Sequence, residues 1–566
     1  MRPTSRIWRA DWLVIAVPAL TAFIVGGYQI GAPSLWRDEA YTKDAIGRSV
    51  SQIFALLGHM DAVHGAYYLL MHVTAGAIGT SATALRFPSL IAMTVTAAFT
   101  AAIGRRAAAL AQDGDAARGR RARIPALTGL LAGLVFATAP YMTYYAQMAR
   151  SYAIVTMFAT IASYLLLRAY PDGRWRWWSA YGAAVALTGL FNLFGLLIVV
   201  AHGVTLLLTD ARGMTRGDGI PPGGRPPQTP PPGGTHPPGP ALDPPVRGDP
   251  SPRTPLGLRG QAGKGRRIGR LPLRWLAASA VAVIALGPLL RVATREQKQI
   301  AWLSRPDAKT IVTLFRDFAG SRELIIPVAL LALGGVAACC LADNWRPLNP
   351  AAIALPWLVV PAFLLLAVSL VKPVYDVRYV EFSLPALAIL VAAGLVGLIR
   401  LAATTRLGPL GLAWLPTALV MIGLALLLIG PQHAIRQTSA RPDNLRLASA
   451  IVAAHEQPGD VVFFIPVDMH VLGTGYPAPF LKLRDIALAE SPIASATLTG
   501  TEVSSPAVLK SRFTDVRRVW VVTGGSNGKF PVPSTPVDKE KLALLAGMHI
   551  IGRWMAGEVM LTLYAY

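Results

Sequence analysis

Long apolar runs recur along the chain as far as residue 430, and they constrain the fold more than any other feature of the sequence. A helix needs roughly 20 apolar residues to cross the hydrocarbon core of a bilayer. Only 15% of the 566 residues are charged, whereas a soluble globular chain carries about 25%. We therefore predict an α-helical polytopic membrane protein. The predicted transmembrane segments are 12–30, 84–104, 124–141, 148–168, 176–190, 193–209, 271–290, 324–341, 350–371, 380–400 and 409–430.

The formal net charge of +23 would on its own suggest a nucleic-acid partner. The arginines, however, lie mostly in loops between apolar runs, and an excess of basic residues is typical of cytoplasmic loops. We therefore exclude nucleic acid and place the basic loops and the N-terminus in the cytoplasm of a multi-pass plasma-membrane protein. The segments predicted to be extracytoplasmic are 31–83, 142–147, 291–323, 372–379 and 431–566.

Two regions of the predicted transmembrane domain, 1–430, do not cross the membrane. The apolar stretch 65–82 is short, and a crossing there would invert every later loop, so it is predicted to be an interfacial helix in the first extracytoplasmic loop, 31–83. Residues 210–273 are rich in proline and glycine. Because such a composition cannot build a packed core, they are predicted to be a disordered cytoplasmic loop.

The composition changes after residue 430, and 431–566 are predicted to form a small extracytoplasmic α/β domain. Short apolar runs indicate strands at 461–465 and 519–522. Helices are predicted at 444–456 and 539–547, the first of them capped by Pro442-Asp443. The sequence leaves open whether this domain captures a substrate or covers the site as a lid.

Polar residues at the outer boundary of the predicted helices are candidates for a functional site. Asp38 and Glu39 follow the first apolar run, and Asp61 lies in the same loop. Ionisable groups at membrane depth cost roughly 2.5–3.5 kcal/mol each, so they usually face a polar cavity. Three other outer segments, around residues 150, 295–302 and 372–379, supply cations. The pattern predicts an acid beside an anion-binding pocket. A divalent metal bound near His59 and His64 is a further alternative.

The chemistry that fits this combination is glycosyl transfer from a lipid phosphate. A carboxylate can take the proton from an acceptor hydroxyl. Arginine or lysine can neutralise the charge that develops on the leaving phosphate. The lipid tail would lie in a groove among the helices, with the sugar outside.

Several segments resemble the GT-C superfamily of polytopic glycosyltransferases, in particular the branch of protein O-mannosyltransferases, aminoarabinose transferases and related actinobacterial mannosyltransferases. The segments that carry the resemblance are Leu35-Trp36-Arg37-Asp38-Glu39-Ala40, His64-Gly65-Ala66-Tyr67-Tyr68-Leu69-Leu70, Ala84-Leu85-Arg86-Phe87-Pro88-Ser89, Tyr145-Ala146-Gln147-Met148-Ala149-Arg150-Ser151-Tyr152, and Arg378-Tyr379 with Pro385. Two positions depart from the family pattern. Gly65-Ala66 replaces a pair of prolines, and Met148 replaces a glutamate, so no role is transferred to position 148.

The resemblance implies inverting transfer of a sugar, expected to be mannose, from a polyprenyl-phosphate donor to a cell-envelope glycan, a lipid or a protein. It implies that Asp38 is the catalytic base or positions the acceptor. The position of Glu39 suggests that it assists Asp38 or caps a helix, and Asp61 could be a second acid, a metal ligand with Asp38 or an ordinary loop aspartate. The residues predicted to bind the donor phosphate or the substrate are Arg37, His64, Tyr145, Gln147, Arg150, Lys372, Arg378 and Tyr379. No set of metal ligands is assigned.

Two other functions are compatible with a polytopic chain. One is a transporter or lipid flippase, although such proteins are often built from internal repeats with broken helices, and the sequence has no such repeat. The other is a non-catalytic relative whose outer domain binds a cell-wall glycan.

Overall fold

The computed structural model describes residues 12–112, 123–215, 271–296, 303–341, 348–524, 533 and 535–566. The larger part is a bundle of apolar helices, and shorter helices lie between them at one end. In chain order these helices are α1 (Leu13–Gly27), α2 (Arg37–Ile46), α3 (Val50–His59), α4 (Gly65–Ile78), α5 (Ala82–Leu110), α6 (Arg123–Thr138), α7 (Pro140–Ala146), α8 (Tyr152–Asp172), α9 (Trp175–Phe191), α10 (Leu197–Thr215), α11 (Leu271–Ala285), α12 (Gly287–Ala293), α13 (Ala308–Ala319), α14 (Ile325–Leu341), α15 (Pro350–Val371), α16 (Leu384–Ala403) and α17 (Leu415–Ala434).

Each of the eleven predicted apolar segments coincides with a helix, but fewer helices qualify as spans by length and composition. Among the described residues, five helices are long and apolar enough to cross a membrane. Two bent pairs, α6 with α7 at 61° and α11 with α12 at 54°, raise the number to as many as seven. The helices thus form a multi-pass membrane bundle, while the count of eleven crossings stays a prediction.

Small residues let some of these helices approach closely. Gly335 of α14 and Gly394 of α16 face each other, and a Cβ atom built on either would collide with a backbone carbonyl of the other helix, that of Leu390 or Leu331. Glycine at such contacts lets membrane helices pack backbone against backbone. Substitution of either glycine would therefore force α14 and α16 apart.

Helix α4 corresponds to the stretch predicted to lie along the membrane surface. Its 14 residues rise about 21 Å, which is short of the hydrocarbon core of about 30 Å. Tyr67, Tyr68 and Met71 are buried, whereas Val73 is largely exposed. This length and this one-sided burial fit an interfacial helix.

The boundaries predicted for the proline-rich loop were too wide at both ends. Helix α10 continues to Thr215 and helix α11 begins at Leu271, so residues 210–215 and 271–273 are helical. Helix α11 begins with an apolar segment, whereas the end of α10 continues through the largely polar residues 210–215. The remainder of the predicted loop, 216–270, lies outside the described residues.

The C-terminal part is a small α/β unit. Its elements are α18 (Leu445–His455), β1 (Val461–Ile465), β2 (Leu488–Glu490), β3 (Thr501–Glu502), α19 (Pro506–Arg512), β4 (Arg518–Gly524), α20 (Pro536–Leu544), β5 (His549–Ala556) and β6 (Val559–Ala565). The main sheet has the order β1-β4-β6-β5, with β1 parallel to β4 and the other pairs antiparallel. One face packs on α18, and the other packs on α19 and α20. The sequence predicted β1, β4 and the helices α18 and α20, but not the hairpin of β5 and β6.

The predicted cap of α18 is wrong. The capping residue is Asn444, whose side chain accepts a hydrogen bond from the backbone N–H of Leu447 at 3.1 Å. Asp443 instead accepts hydrogen bonds from Arg37, far away in the sequence. Both residue types cap helices well, so only the tertiary contact of Asp443 distinguishes them.

Candidate active site

Helix α2 presents the acidic pair, and its geometry separates the two carboxylates. Trp36 is extended, and Asp38 and Glu39 fall in the first turn of the helix that follows. Acidic side chains are favourable there because the N-terminal end of a helix is electropositive. Consecutive residues on a helix point about 100° apart. The two side chains therefore meet different neighbours.

Asp38 is paired with an arginine that lies far from it in the sequence. Nη1 of Arg378 donates to Oδ2 of Asp38 at 2.8 Å. The same guanidinium lies 3.2 Å from Asp376 through Nη2, and the backbone N–H of Arg378 donates to Asp376 at 3.1 Å. Arg378 thus bridges two carboxylates, and the short turn Val377–Tyr379 fixes its direction.

A second arginine contacts the same region. Arg150 is 8% exposed, and its Nη1 lies 3.4 Å from the backbone carbonyl oxygen of Asp38. Its Nη2 donates to Nε2 of His64 at 3.1 Å. Burial lowers the pKa of His64 to about 4, and the nearby charge of Arg150 acts in the same direction. His64 is therefore neutral at pH 7 and can accept the hydrogen bond from Arg150.

Asp61 completes the group. Its Oδ2 accepts a hydrogen bond from the hydroxyl of Tyr68 at 2.6 Å, and its backbone is left-handed with φ +60°. Burial and the carboxylate of Asp61 raise the pKa of Tyr68 well above its usual value, so this hydroxyl remains a donor. We refer to the connected residues as the Asp38 cluster, which consists of Asp38, Asp61, His64, Tyr68, Arg150, Asp376 and Arg378.

Glu39 points away from this cluster into a closed ion pair. It is fully buried, and its two oxygens accept hydrogen bonds from Nε and Nη2 of Arg86 at 2.8 and 2.7 Å. One of them also accepts from the backbone N–H of Ala149 at 2.8 Å. Arg86 in turn donates to three backbone carbonyls of the loop before α2. Glu39 therefore ties α2 to α5 and to the loop that carries Arg150.

Two residues predicted to bind the donor make structural contacts instead. The backbone N–H of Arg37 donates to Asp443 at 3.0 Å, and its Nη2 donates to the same carboxylate at 3.3 Å. Gln147 is fully buried and donates from Nε2 to the carbonyl oxygens of Gly26 and Tyr28, each at 2.9 Å. Each of these side chains fixes a loop next to the Asp38 cluster.

The other three predicted binding residues lie in different surroundings. Tyr145 is buried among three other tyrosines of α7 and α8. Tyr379 stacks on Phe194 with the ring centroids 4.7 Å apart. Lys372 is exposed at the C-terminal end of α15.

The described residues cover the metal alternative and the third cationic segment only in part. Within the described ranges, no group of three or more His, Cys, Asp or Glu side chains is arranged to hold a metal ion. Of the segment 295–302, residues 297–302 lie outside the described residues. Just before them, Glu296 accepts a hydrogen bond from the backbone N–H of Ala62 at 2.8 Å and so supports the turn that carries His64.

The sequence analysis assigned no role in the site to Arg86, Asp376 or Tyr68. Arg86 offered the clearest signal, because a charged residue inside an apolar helix requires a partner within the protein. Glu39 was an available partner. Asp376 was visible two residues before Arg378, but its spacing alone did not show that it would accept a hydrogen bond from the backbone of the same turn.

The fold combines a bundle of apolar helices, a charged cluster at one end of the bundle and a small α/β unit packed beside it. These features are those of a multi-pass membrane protein. Comparison with solved structures identifies the fold. The chain superposes on ArnT from Cupriavidus metallidurans bound to undecaprenyl phosphate with a TM-score of 0.51 and 14% sequence identity, covering 99% of this chain and 98% of that one. The apo state of ArnT gives a TM-score of 0.52 and 15% identity, covering 98% of each chain.

Sequence comparison gives a consistent result over a shorter range. A family model described as dolichyl-phosphate-mannose-protein mannosyltransferase matches residues 120–218. No curated protein sequence matches the chain significantly. Together with the shared fold, the family match confirms the predicted resemblance to the GT-C superfamily.

Proposed function

We propose that the chain is an integral-membrane inverting glycosyltransferase that moves a sugar from a polyprenyl-phosphate donor to an extracytoplasmic acceptor. The observation that carries the proposal is the contact of Asp38 with two arginines, Arg378 and Arg150, at the end of an apolar bundle. This arrangement provides a base and an anion-binding pair where a lipid phosphate could lie with its tail among the helices. The fold shared with a structure bound to undecaprenyl phosphate supports such a donor.

In the proposed reaction, Asp38 accepts the proton of the acceptor hydroxyl as its oxygen attacks the anomeric carbon of the donor sugar. The bond between that carbon and the phosphate oxygen breaks, and polyprenyl phosphate leaves. Among the described residues, Oδ1 of Asp38 makes no hydrogen bond, while Oδ2 is held by Arg378. Arg150 and Arg378 stabilise the negative charge of the leaving phosphate, since fixed cations act strongly where charge develops.

Donor binding would also free the proposed base. The donor phosphate competes with Asp38 for the guanidinium of Arg378, which holds Oδ2 of that carboxylate at 2.8 Å. Once Arg378 turns part of its hydrogen bonding to the phosphate, this oxygen becomes available to the acceptor hydroxyl. The proton transfer is thereby coupled to the presence of the donor.

The remaining predicted residues receive separate roles in this proposal. Glu39, Arg37 and Gln147 hold the loops of the site, as their closed hydrogen bonds suggest. Asp61 and His64 orient Tyr68 and Arg150. Tyr145, Lys372 and Tyr379 surround the donor, and no step is assigned to a metal.

Mannose is the sugar we propose, supported by the family model that matches residues 120–218. A cell-envelope glycan, a lipid or a protein could each supply the acceptor hydroxyl. The reaction is placed on the outer face of the plasma membrane because the basic loops favour a cytoplasmic location for the opposite end of the bundle.

The test is an assay with purified protein in lipid vesicles and radiolabelled polyprenyl-phosphate mannose. An extract of the native cell envelope, divided into glycan, lipid and protein fractions, serves as the acceptor. We expect label to appear in one fraction. Movement of intact donor across the vesicle membrane would indicate a flippase, and binding of an envelope fraction without transfer would indicate a non-catalytic relative.

A further inference from the structure

The chain segment between α17 and α18 contacts both loops of the proposed site. We refer to residues 441–446 as the clamp segment. On one side it reaches residues 34–37, which lead into α2 and Asp38. On the other side it reaches residues 144–147, which lead to Arg150. These loops are distant in sequence, and the clamp segment joins them.

The contact with the Asp38 side depends on a buried carboxylate. Asp443 is 2% exposed, and its two oxygens accept from the backbone N–H and from Nη2 of Arg37. The neighbouring backbone N–H of Arg446 donates to the hydroxyl of Ser34 at 3.0 Å. Arg37 directly precedes Asp38, so the carboxylate of Asp443 fixes the first turn of α2.

The contact with the Arg150 side depends on a buried guanidinium. Arg441 is 3% exposed, and its Nη2 donates to the carbonyl oxygens of Tyr144 at 3.2 Å and Gln147 at 2.6 Å. Its guanidinium also lies over the ring of Tyr144, 4.0 Å from the centroid. Nη2 carries both of these hydrogen bonds, whereas Nε and Nη1 are buried without a partner among the described residues. These contacts stabilise the loop three residues before Arg150.

The C-terminal unit holds the clamp segment rigidly. The backbone N–H of Asn444 donates to the carbonyl of Ala556 at 3.0 Å, and that of Glu558 donates to the carbonyl of Pro442 at 2.8 Å. Gly557 lies between them with φ +68°, and a Cβ atom there would collide with the carbonyl of Pro442. The β5–β6 turn is therefore built around the clamp segment.

We propose that Arg441 and Asp443 are positioning residues, which hold Asp38 and Arg150 at the separation that the transfer reaction needs. The inference rests on the proposed function for the nature of that reaction. It assigns the C-terminal unit a fixed part in the site, in place of a lid that opens and closes. Positioning matters because a displacement of about 1 Å can lower a rate on the order of 100-fold.

The variants that test it are Asp443→Asn and Arg441→Lys, with Asp460→Asn as the matched control. Asp460 is also 2% exposed in the same unit, where it pairs with Arg518 at 2.9 Å and accepts from Trp520 at 2.9 Å. In the part of the chain that the structure describes, it makes no hydrogen bond to either site loop. We expect kcat to fall at least about tenfold in the two clamp variants, while KM for the donor changes less than about twofold. The control should lose thermal stability and keep its kcat.

Hydrogen exchange of residues 34–46 and 144–151 provides a second readout that does not depend on transfer. Exchange should rise in both segments of Asp443→Asn and in neither segment of Asp460→Asn. Unchanged exchange in Asp443→Asn, or an equal rise in both variants, would overturn the clamp. A wild-type protein that transfers no sugar would count against the proposed function alone, because the exchange result would still decide the clamp.

Discussion

Arg378 donates a hydrogen bond from Nη1 to Oδ2 of Asp38 at 2.8 Å, which joins two residues 340 positions apart in the sequence. Because Arg378 also contacts Asp376, its guanidinium has two anionic neighbours. A phosphate placed here would exchange one of these contacts for its own. The pair therefore links the proposed base to the proposed phosphate site.

Replacing Arg378 by lysine keeps the positive charge but removes the planar fork that bridges two carboxylates. An ammonium group is a point charge and cannot reproduce this two-point contact. We expect kcat to fall on the order of 10- to 100-fold in Arg378→Lys, measured by transfer of labelled sugar. Arg316→Lys is the control, since Arg316 forms a partly exposed pair with Asp317. Equal activity of both variants would argue against a role for Arg378 in catalysis.

The two neighbouring acids should respond differently to removal of their charge. Glu39→Gln leaves Arg86 buried without a counter-ion, which typically costs about 3–5 kcal/mol. We expect a lower apparent melting temperature and a lower yield, with a smaller loss of transfer per folded molecule than in Asp38→Asn. Asp38→Asn should fold normally. If Glu39→Gln were as stable as the wild type but inactive, Glu39 would have to act in the chemistry itself.

The histidine of the cluster should make stability depend on pH. The pKa of His64 falls from its ordinary value near 6.5 to about 4 in the folded protein. Between these values the unfolded chain binds more protons than the folded chain, so stability decreases as the pH falls below about 6.5. His64→Gln keeps an acceptor for Arg150 and should weaken this decrease.

The measurement is the apparent melting temperature in detergent between about pH 5 and 7.5. His59→Gln is the control, because His59 is exposed and its ring contacts only the carbonyl of Ala55 among the described residues. It should follow the wild-type pH profile. A His64→Gln profile parallel to that of the wild type would show that His64 does not contribute.

Substitutions of Gln147 and Arg150 should affect different quantities. The first should lower the stability of the fold, and the second should weaken donor binding. Gln147→Ala removes two hydrogen bonds to buried carbonyl groups, which should cost about 1–3 kcal/mol of stability and leave the donor KM unchanged. Arg150→Lys should instead weaken binding of polyprenyl phosphate while the fold is kept. Binding isotherms and melting curves on the same preparations give both quantities. If Gln147→Ala weakened donor binding and Arg150→Lys lowered the stability, the roles proposed for the two residues would be reversed.

Much of the helical architecture could be predicted from the sequence, because membrane helices carry a strong signal in length and hydropathy. The approach of Asp38, Arg150 and Arg378 was also predicted from topology, which placed their loops on the same side of the membrane. The structure confirms that these three residues lie together. Their catalytic roles remain a proposal.

The remaining details depended on the directions in which side chains point, and a linear sequence does not contain these directions. Asp38 and Glu39 are adjacent acids, and only the turn of α2 sends one to Arg378 and the other to Arg86. Arg37 looked like a phosphate ligand because of its position, but its partner, Asp443, comes from the C-terminal unit. Strand β5 was missed because it lies at the sheet edge and is largely exposed. Strand β6 is mostly buried, and the sequence analysis overlooked it.

The most direct test of the account is the transfer rate of Asp38→Asn beside its affinity for undecaprenyl phosphate. Asparagine is nearly the same size and cannot accept the proton of an acceptor hydroxyl. We expect transfer to fall by at least about 100-fold, while the variant remains folded and still binds undecaprenyl phosphate. Transfer at a rate close to that of the wild type would contradict the assignment of Asp38 as the base.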